Sequence, residues 1–179
     1  MRWIRLLSAM IVAKFRSKID VRETSSMSFR VWFTDIDVAI MNHAAILTVM
    51  EMGRLDYMIR SGIFSVVNKK KWSIPGKALT VEYYRPLKFF QKGELHSKIA
   101  YIDEKWVYME QKITRNGKDV AFCLIKAVIK KRSITIPPTE LMKAMGISEF
   151  NTNKSKLLET FEATFDHISQ HEFDNESIL

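Results

Sequence analysis

Residues 42–62 read NHAAILTVMEMGRLDYMIRSG, and this stretch decides the fold. No proline interrupts 43–60. Ala44, Ala45, Ile46, Leu47, Val49, Met50, Leu55, Met58 and Ile59 spread apolar side chains over nearly every face of a helix. A helix that is apolar almost all round has to be covered on all sides. Asn42 supplies a side-chain oxygen suited to an N-cap, and Gly62 suits the left-handed position that ends a helix. Glu51 and Arg54, three residues apart, are placed to pair on the helix surface.

Upstream, residues 26–33 alternate. Met27, Phe29, Val31 and Phe33 fall on one side, Ser28, Arg30 and Trp32 on the other, which predicts a strand ending at Thr34-Asp35-Ile36-Asp37. Downstream the chain reads as strands. Lys69-Lys70-Lys71 marks an exposed turn. Strands follow over 79–90, with Pro86 implying a bulge or edge, and over 95–102, 106–114 and 120–131. Asn116-Gly117 is the strongest hairpin signal in the chain. Residues 120–131 are apolar on both faces through their middle. Short helices are expected over 141–145 and 154–168. The order is strand, long buried helix, then four antiparallel strands. A sheet wrapped around one helix buries both, which gives an α+β architecture with extra terminal helices. Three segments result: an amphipathic basic helix over 1–19, the sheet-and-helix domain over 20–136, and an acidic helical tail over 137–179.

The chain has 179 residues and 47% hydrophobic content, enough for one domain with a sizeable core. Its net charge of +8 is uneven. Residues 147–179 hold seven carboxylates against Lys154 and Lys156, so the body is strongly basic and suited to an anionic partner. No aromatic–basic recognition motif points to specific nucleic acid. The lone cysteine, Cys123, rules out an internal disulfide and fits a reducing, cytoplasmic setting. It reads as an inert core residue. His167 and His171 lack a third ligand, so no metal site is expected. The apolar run Leu6 to Ala13 is too short to span a bilayer. With Trp3, Phe15 and a basic rim, it reads as a helix that either lies on a membrane surface or packs on the domain.

Asp35-Ile36-Asp37 closing the first strand, Met41-Asn42-His43 opening the helix, and Met50-Glu51-Met52-Gly53-Arg54-Leu55-Asp56 within it carry a family resemblance. Tyr84-Arg85-Pro86-Leu87 and Asn116-Gly117-Lys118 add to it. Over about residues 20–145 the chain resembles the 4-hydroxybenzoyl-CoA thioesterase-like branch of the hotdog-fold acyl-CoA thioesterase superfamily. The resemblance implies a hotdog fold, a homodimer or homotetramer with sites between subunits, and hydrolysis of a fatty or aromatic acyl-CoA. No cofactor is implied beyond the coenzyme A of the substrate. Two departures stand out. The loop is one residue shorter than the usual pattern and lacks its first His, and Ala45-Ile46 replace a common Arg-Tyr pair.

By that resemblance Asp37 takes the role of nucleophile or general base. Thioester hydrolysis needs such a group and a holder for the oxyanion. Unpaired amides in a helix's first turn, aided by its dipole, are suited to hold one. His43 stands where the family supplies that backbone donor, and Asn42 shapes the turn. Met41 and Glu51 are candidate substrate contacts. Arg85 and Lys88 are candidates for the coenzyme A phosphates, with Lys130, Lys131 and Arg132 as further cations. Each has a plainer alternative: Asp37 as a loop cap, Glu51 with Arg54 as a helix ion pair, the basic residues as solvated surface. The alternative function is a hotdog protein that binds an acyl chain or a partner with little turnover.

Overall fold

The computed structural model describes residues 2–148, 150 and 154–170. The elements are α1 (Arg2–Phe15), β1 (Ser25–Arg30), a 3-10 turn (Phe33–Asp35), β2 (Ile36–Asp37), β3 (Ile40–Met41) and α2 (His43–Arg60). There follow α3 (Ile63–Lys70), β4 (Gly76–Tyr83), β5 (Lys92–Ile102), β6 (Trp106–Arg115), β7 (Lys118–Lys131), β8 (Ile134–Ile136), α4 (Pro138–Met145) and α5 (Lys156–Gln170).

Helix α2 spans the residues its sequence predicts, and the Asn42 side chain accepts the Ala45 N–H at 2.7 Å as its cap. Its inner face (Ala45, Ile46, Val49, Met50, Tyr57, Ile59) is buried against the sheet and α1. Gly53 allows close packing there, since a Cβ at this position would meet Leu95 Cδ2 at 2.2 Å.

The sheet is antiparallel throughout, in the order β1-β5-β6-β7-β4, with β8 added to β7. Strand β4 is an edge. Asn116 (φ 51°) and Gly117 (φ 72°) join Arg115 to Lys118 in a two-residue hairpin whose positive φ at both positions matches the twist of the strands. The inner face of β7 (Ala121, Cys123, Ile125) meets α2, whereas Leu124 on its outer face packs with Leu158 and Phe161 of α5. Double coverage explains why this strand reads as apolar on both sides.

Several expectations are corrected. Residues 63–70, read as entering strand structure, form α3. Strand β1 stops at Arg30, and Phe33 lies exposed in the 3-10 turn rather than on the inner face. The expected strand over 79–90 is β4, which starts at Gly76 and ends at Tyr83, so Pro86 lies in the loop that follows. Ser61 is the C-cap of α2; Gly62, at φ 85°, separates it from α3.

Helix α1 packs on α2 through Leu6, Ala9 and Ala13. Arg5 pairs with the buried Asp35 at one end. At the other, Arg16 Nη1 donates to Asp56 Oδ1 at 2.7 Å. Asp56 Oδ2 also accepts from Ser25 Oγ at 2.6 Å and stands 3.4 Å from Arg60 Nη1. The opposite face of α1 exposes Leu7, Ile11, Val12 and Phe15. The side chain of Trp3 and the His167–His171 pair lie outside the described residues. No helix among those described is long and apolar enough to cross a membrane.

Candidate functional site

Asp35 and Asp37 take different positions although they are only two residues apart. Asp35 holds the loop together: its side chain accepts the Trp32 N–H at 2.9 Å, its carbonyl accepts the Asn42 N–H at 2.8 Å, and Arg5 neutralises it. Asp37 is exposed at the end of a minimal hairpin in which Ile36 faces Met41 and Asp37 faces Ile40. The turn between them closes on the Ala39 N–H to Asp37 carbonyl bond at 2.6 Å, with Val38 at φ 58° and fully exposed. A β-branched residue in that region is strained.

Asn42 links this hairpin to the helix. Its Oδ1 caps Ala45 while its Nδ2 lies 3.4 Å from Asp37 Oδ1. The Ile46 N–H bonds to the Asn42 carbonyl, which leaves the amides of His43 and Ala44 as the open donors of the first turn. The His43 ring stacks on Tyr83 at 4.3 Å, so the helix start and the end of edge strand β4 lie side by side. The Met41 side chain is buried, and its N–H donates to the Leu87 carbonyl at 2.7 Å, which brings the 84–91 loop and Lys88 to the same end. Arg85 turns to the Asp119 carbonyl at 2.7 Å. Lys130, Lys131 and Arg132 sit at the far end of β7, away from this group.

A cavity of about 690 Å³ opens further along α2, between its Glu51–Met58 segment and the sheet. Its walls are mostly apolar, and Glu51 and Arg54 are the charged groups that α2 contributes. Asp37 does not line it. Arg54 donates to Gln111 Oε1 at 2.8 Å rather than forming a salt bridge with Glu51. Gln111 is fully buried and donates in turn to the Met50 carbonyl (2.8 Å) and Ser97 Oγ (2.9 Å). Sequence reasoning missed Gln111 and Tyr83. The signal for Gln111 is a polar residue at an alternate position of β6 otherwise held by Val107, Met109 and Ile113. Burial pushes the Cys123 thiol up to about 11, so it stays protonated and is no nucleophile at neutral pH.

A curled antiparallel sheet around one long helix, with an Asp-x-Asp turn leading into that helix, defines a hotdog-fold protein. Residues 31–145 match the thioesterase-like superfamily, and the chain belongs to that family. It is 25% identical over 149 residues to protein THEM6 of Xenopus laevis, covering 80% of this chain and 70% of that one. Among solved structures it resembles the probable thioesterase YbaW of Escherichia coli (TM-score 0.63, 21% identity, 67% of this chain and 95% of that one). It also resembles a Thermus thermophilus thioesterase complexed with coenzyme A and zinc (TM-score 0.57, 20% identity, 69% and 96%). These likenesses show the fold.

Proposed function

We propose that the protein hydrolyses an acyl-CoA thioester to free acid and coenzyme A, with Asp37 as nucleophile or general base. The observation that carries this is the double role of Asn42, which caps the helix and reaches Asp37, setting a carboxylate beside the open His43 and Ala44 amides. As nucleophile, Asp37 attacks the thioester carbonyl, the amides hold the oxyanion, and the thiolate leaves with the formation of an anhydride. Water then cleaves the anhydride to acid and restored carboxylate. As base, Asp37 takes the proton of an attacking water. Met41 and Lys88 border the acyl and phosphate ends. Steady-state hydrolysis across acyl-CoA chain lengths tests the mechanism. Asp37→Asn is expected to lower turnover by roughly 10²–10⁴-fold; full activity in the variant overturns it.

The exposure of Asp37 is accounted for by a second copy covering it. Edge strand β4 presents Leu79 and Tyr83, with Val38 and Ile40 exposed nearby. An unpaired apolar edge of this kind favours joining two sheets. Light scattering should give at least a dimer, and Leu79→Lys should yield a monomer with depressed turnover. A fully active monomer refutes the shared site.

The outward Leu7, Ile11, Val12 and Phe15 of α1 support contact with a membrane surface. Flotation on anionic liposomes should weaken in a Leu7→Ser/Ile11→Ser/Phe15→Ser variant, and equal partition of both proteins overturns the contact. Substitution is the right comparison because deleting residues 1–16 would strip the buried Asp35 and Asp56 of Arg5 and Arg16.

The second reading is an acyl-binding protein with little turnover. It is favoured by the separation of Asp37 from the cavity. Ligand binding without hydrolysis of any acyl-CoA would select it.

A further inference from the structure

The cavity beside α2 carries a cation that thioester hydrolysis at Asp37 does not use. Arg54 lines it, and burial lowers the guanidinium's pKa from its ordinary value. Guanidinium offers five N–H donors. Among the described residues, its one hydrogen bond goes to the neutral oxygen of Gln111, and no carboxylate comes within salt-bridge distance. Glu51, on the same wall, favours the charged form without such contact. Gln111 has no freedom to rotate away, because both its amide donations are taken by Met50 and Ser97. Arg54 is therefore aimed in advance, and among the described residues no buried side-chain nitrogen is left without a partner, so its remaining donors open onto accessible space.

The surroundings narrow the ligand. Leu55, Met58, Ile99, Met109 and Ile125 make the walls apolar, and a volume near 690 Å³ suits a small-molecule chain. One planar guanidinium in an apolar chamber matches one planar carboxylate, which it can grip with two parallel hydrogen bonds. Lys77 adds positive charge to the lining, on the exposed edge strand.

We propose that this cavity binds an apolar chain bearing a carboxylate, and that Arg54, held by Gln111, receives that carboxylate. Two sources share this chemistry: a free fatty acid entering head first, and an acyl group whose far end carries a second carboxylate. Arg54 lies eleven residues beyond His43, or about 16 Å along the helix. A chain reacting at the helix start could thus place its far end there. Only the choice between sources rests on the hydrolase reading; the binding site stands without it.

Calorimetric titration of the full-length protein with dodecanoate and dodecan-1-ol, which share a chain length, tests the site. The carboxylate should bind roughly tenfold tighter or better in the wild type. Arg54→Gln should erase the difference, and Arg54→Lys should retain part of it. Equal affinity for acid and alcohol in the wild type overturns the proposal, and that arm needs no variant to fold. An undiminished preference for the acid in a folded Arg54→Gln protein also overturns it. Hydrolysis then separates the sources. If kcat/KM falls in Arg54→Gln for dodecanedioyl-CoA but not for dodecanoyl-CoA, the far-end carboxylate is the ligand. If both thioesters are cleaved as before and inhibition by dodecanoate is relieved, the free acid is. Failure to hydrolyse any acyl-CoA across the chain-length series removes the hydrolase reading, while the titration still decides the site.

Discussion

Around the last two turns of α2, Asp56 receives Arg16, Ser25 and Arg60, and all of these partners but Arg16 are buried. Around the first turn, Asp37 is exposed and its side chain accepts one long bond from Asn42, beside a strained Val38 and two open amides. Both ends use a carboxylate. At one end both carboxylate oxygens are engaged and the helix is tied to Arg16 and β1. At the other, the acid and the donors are left for something outside the chain. Under the proposed function, stability and reactivity are assigned to opposite ends of one element, which keeps changes at the first turn from unfolding the domain.

Substitutions at the two ends should separate by size of effect. Asp56→Ala leaves the buried Arg60 without its acid and should cost about 3–5 kcal/mol in urea denaturation; a cost below about 1 kcal/mol would mean the two ends do not differ. Asn42→Ala sits between the extremes. It removes a cap, with an expected loss of about 1 kcal/mol, and it also frees Asp37, so turnover should drop by more than the stability loss explains. Asp37→Asn should change stability by no more than about 0.5 kcal/mol, as at an ordinary exposed position. A larger loss in the same denaturation series would show that Asp37 is a structural residue.

The helix was legible because its signals are local: a capping Asn42, eighteen residues without proline, and apolar side chains on all faces. The Asn116-Gly117 hairpin was legible for the same reason, since both positions need positive φ. Residues 63–70 misled because Ile63, Val66 and Val67 are β-branched, a composition that suits a strand, while the helix they form depends on packing Ile63 and Val67 into the core. At the site, Asp37, Asn42 and His43 lie near one another in sequence and could be grouped by it. The partner of Arg54 could not be. Glu51 is its neighbour along the helix, yet its hydrogen bond goes to Gln111, fifty-seven residues away on β6. Strand register brings that pair together, and no periodicity within α2 encodes it.

The stretch that matches the family, 31–145, is shorter than the unit that balances its own charges. Arg5, Arg16 and Ser25 all precede it, yet they neutralise or hydrogen-bond Asp35 and Asp56 inside it. A protein trimmed to the homologous boundaries would keep both acids, leave Asp35 without Arg5, and leave Asp56 with Arg60 alone. Both carboxylates are buried, so losing these partners should destabilise the fragment. We expect such a fragment to unfold at a lower urea concentration than the full-length protein, so the ion pairs and not the family match mark the boundary of the stable unit.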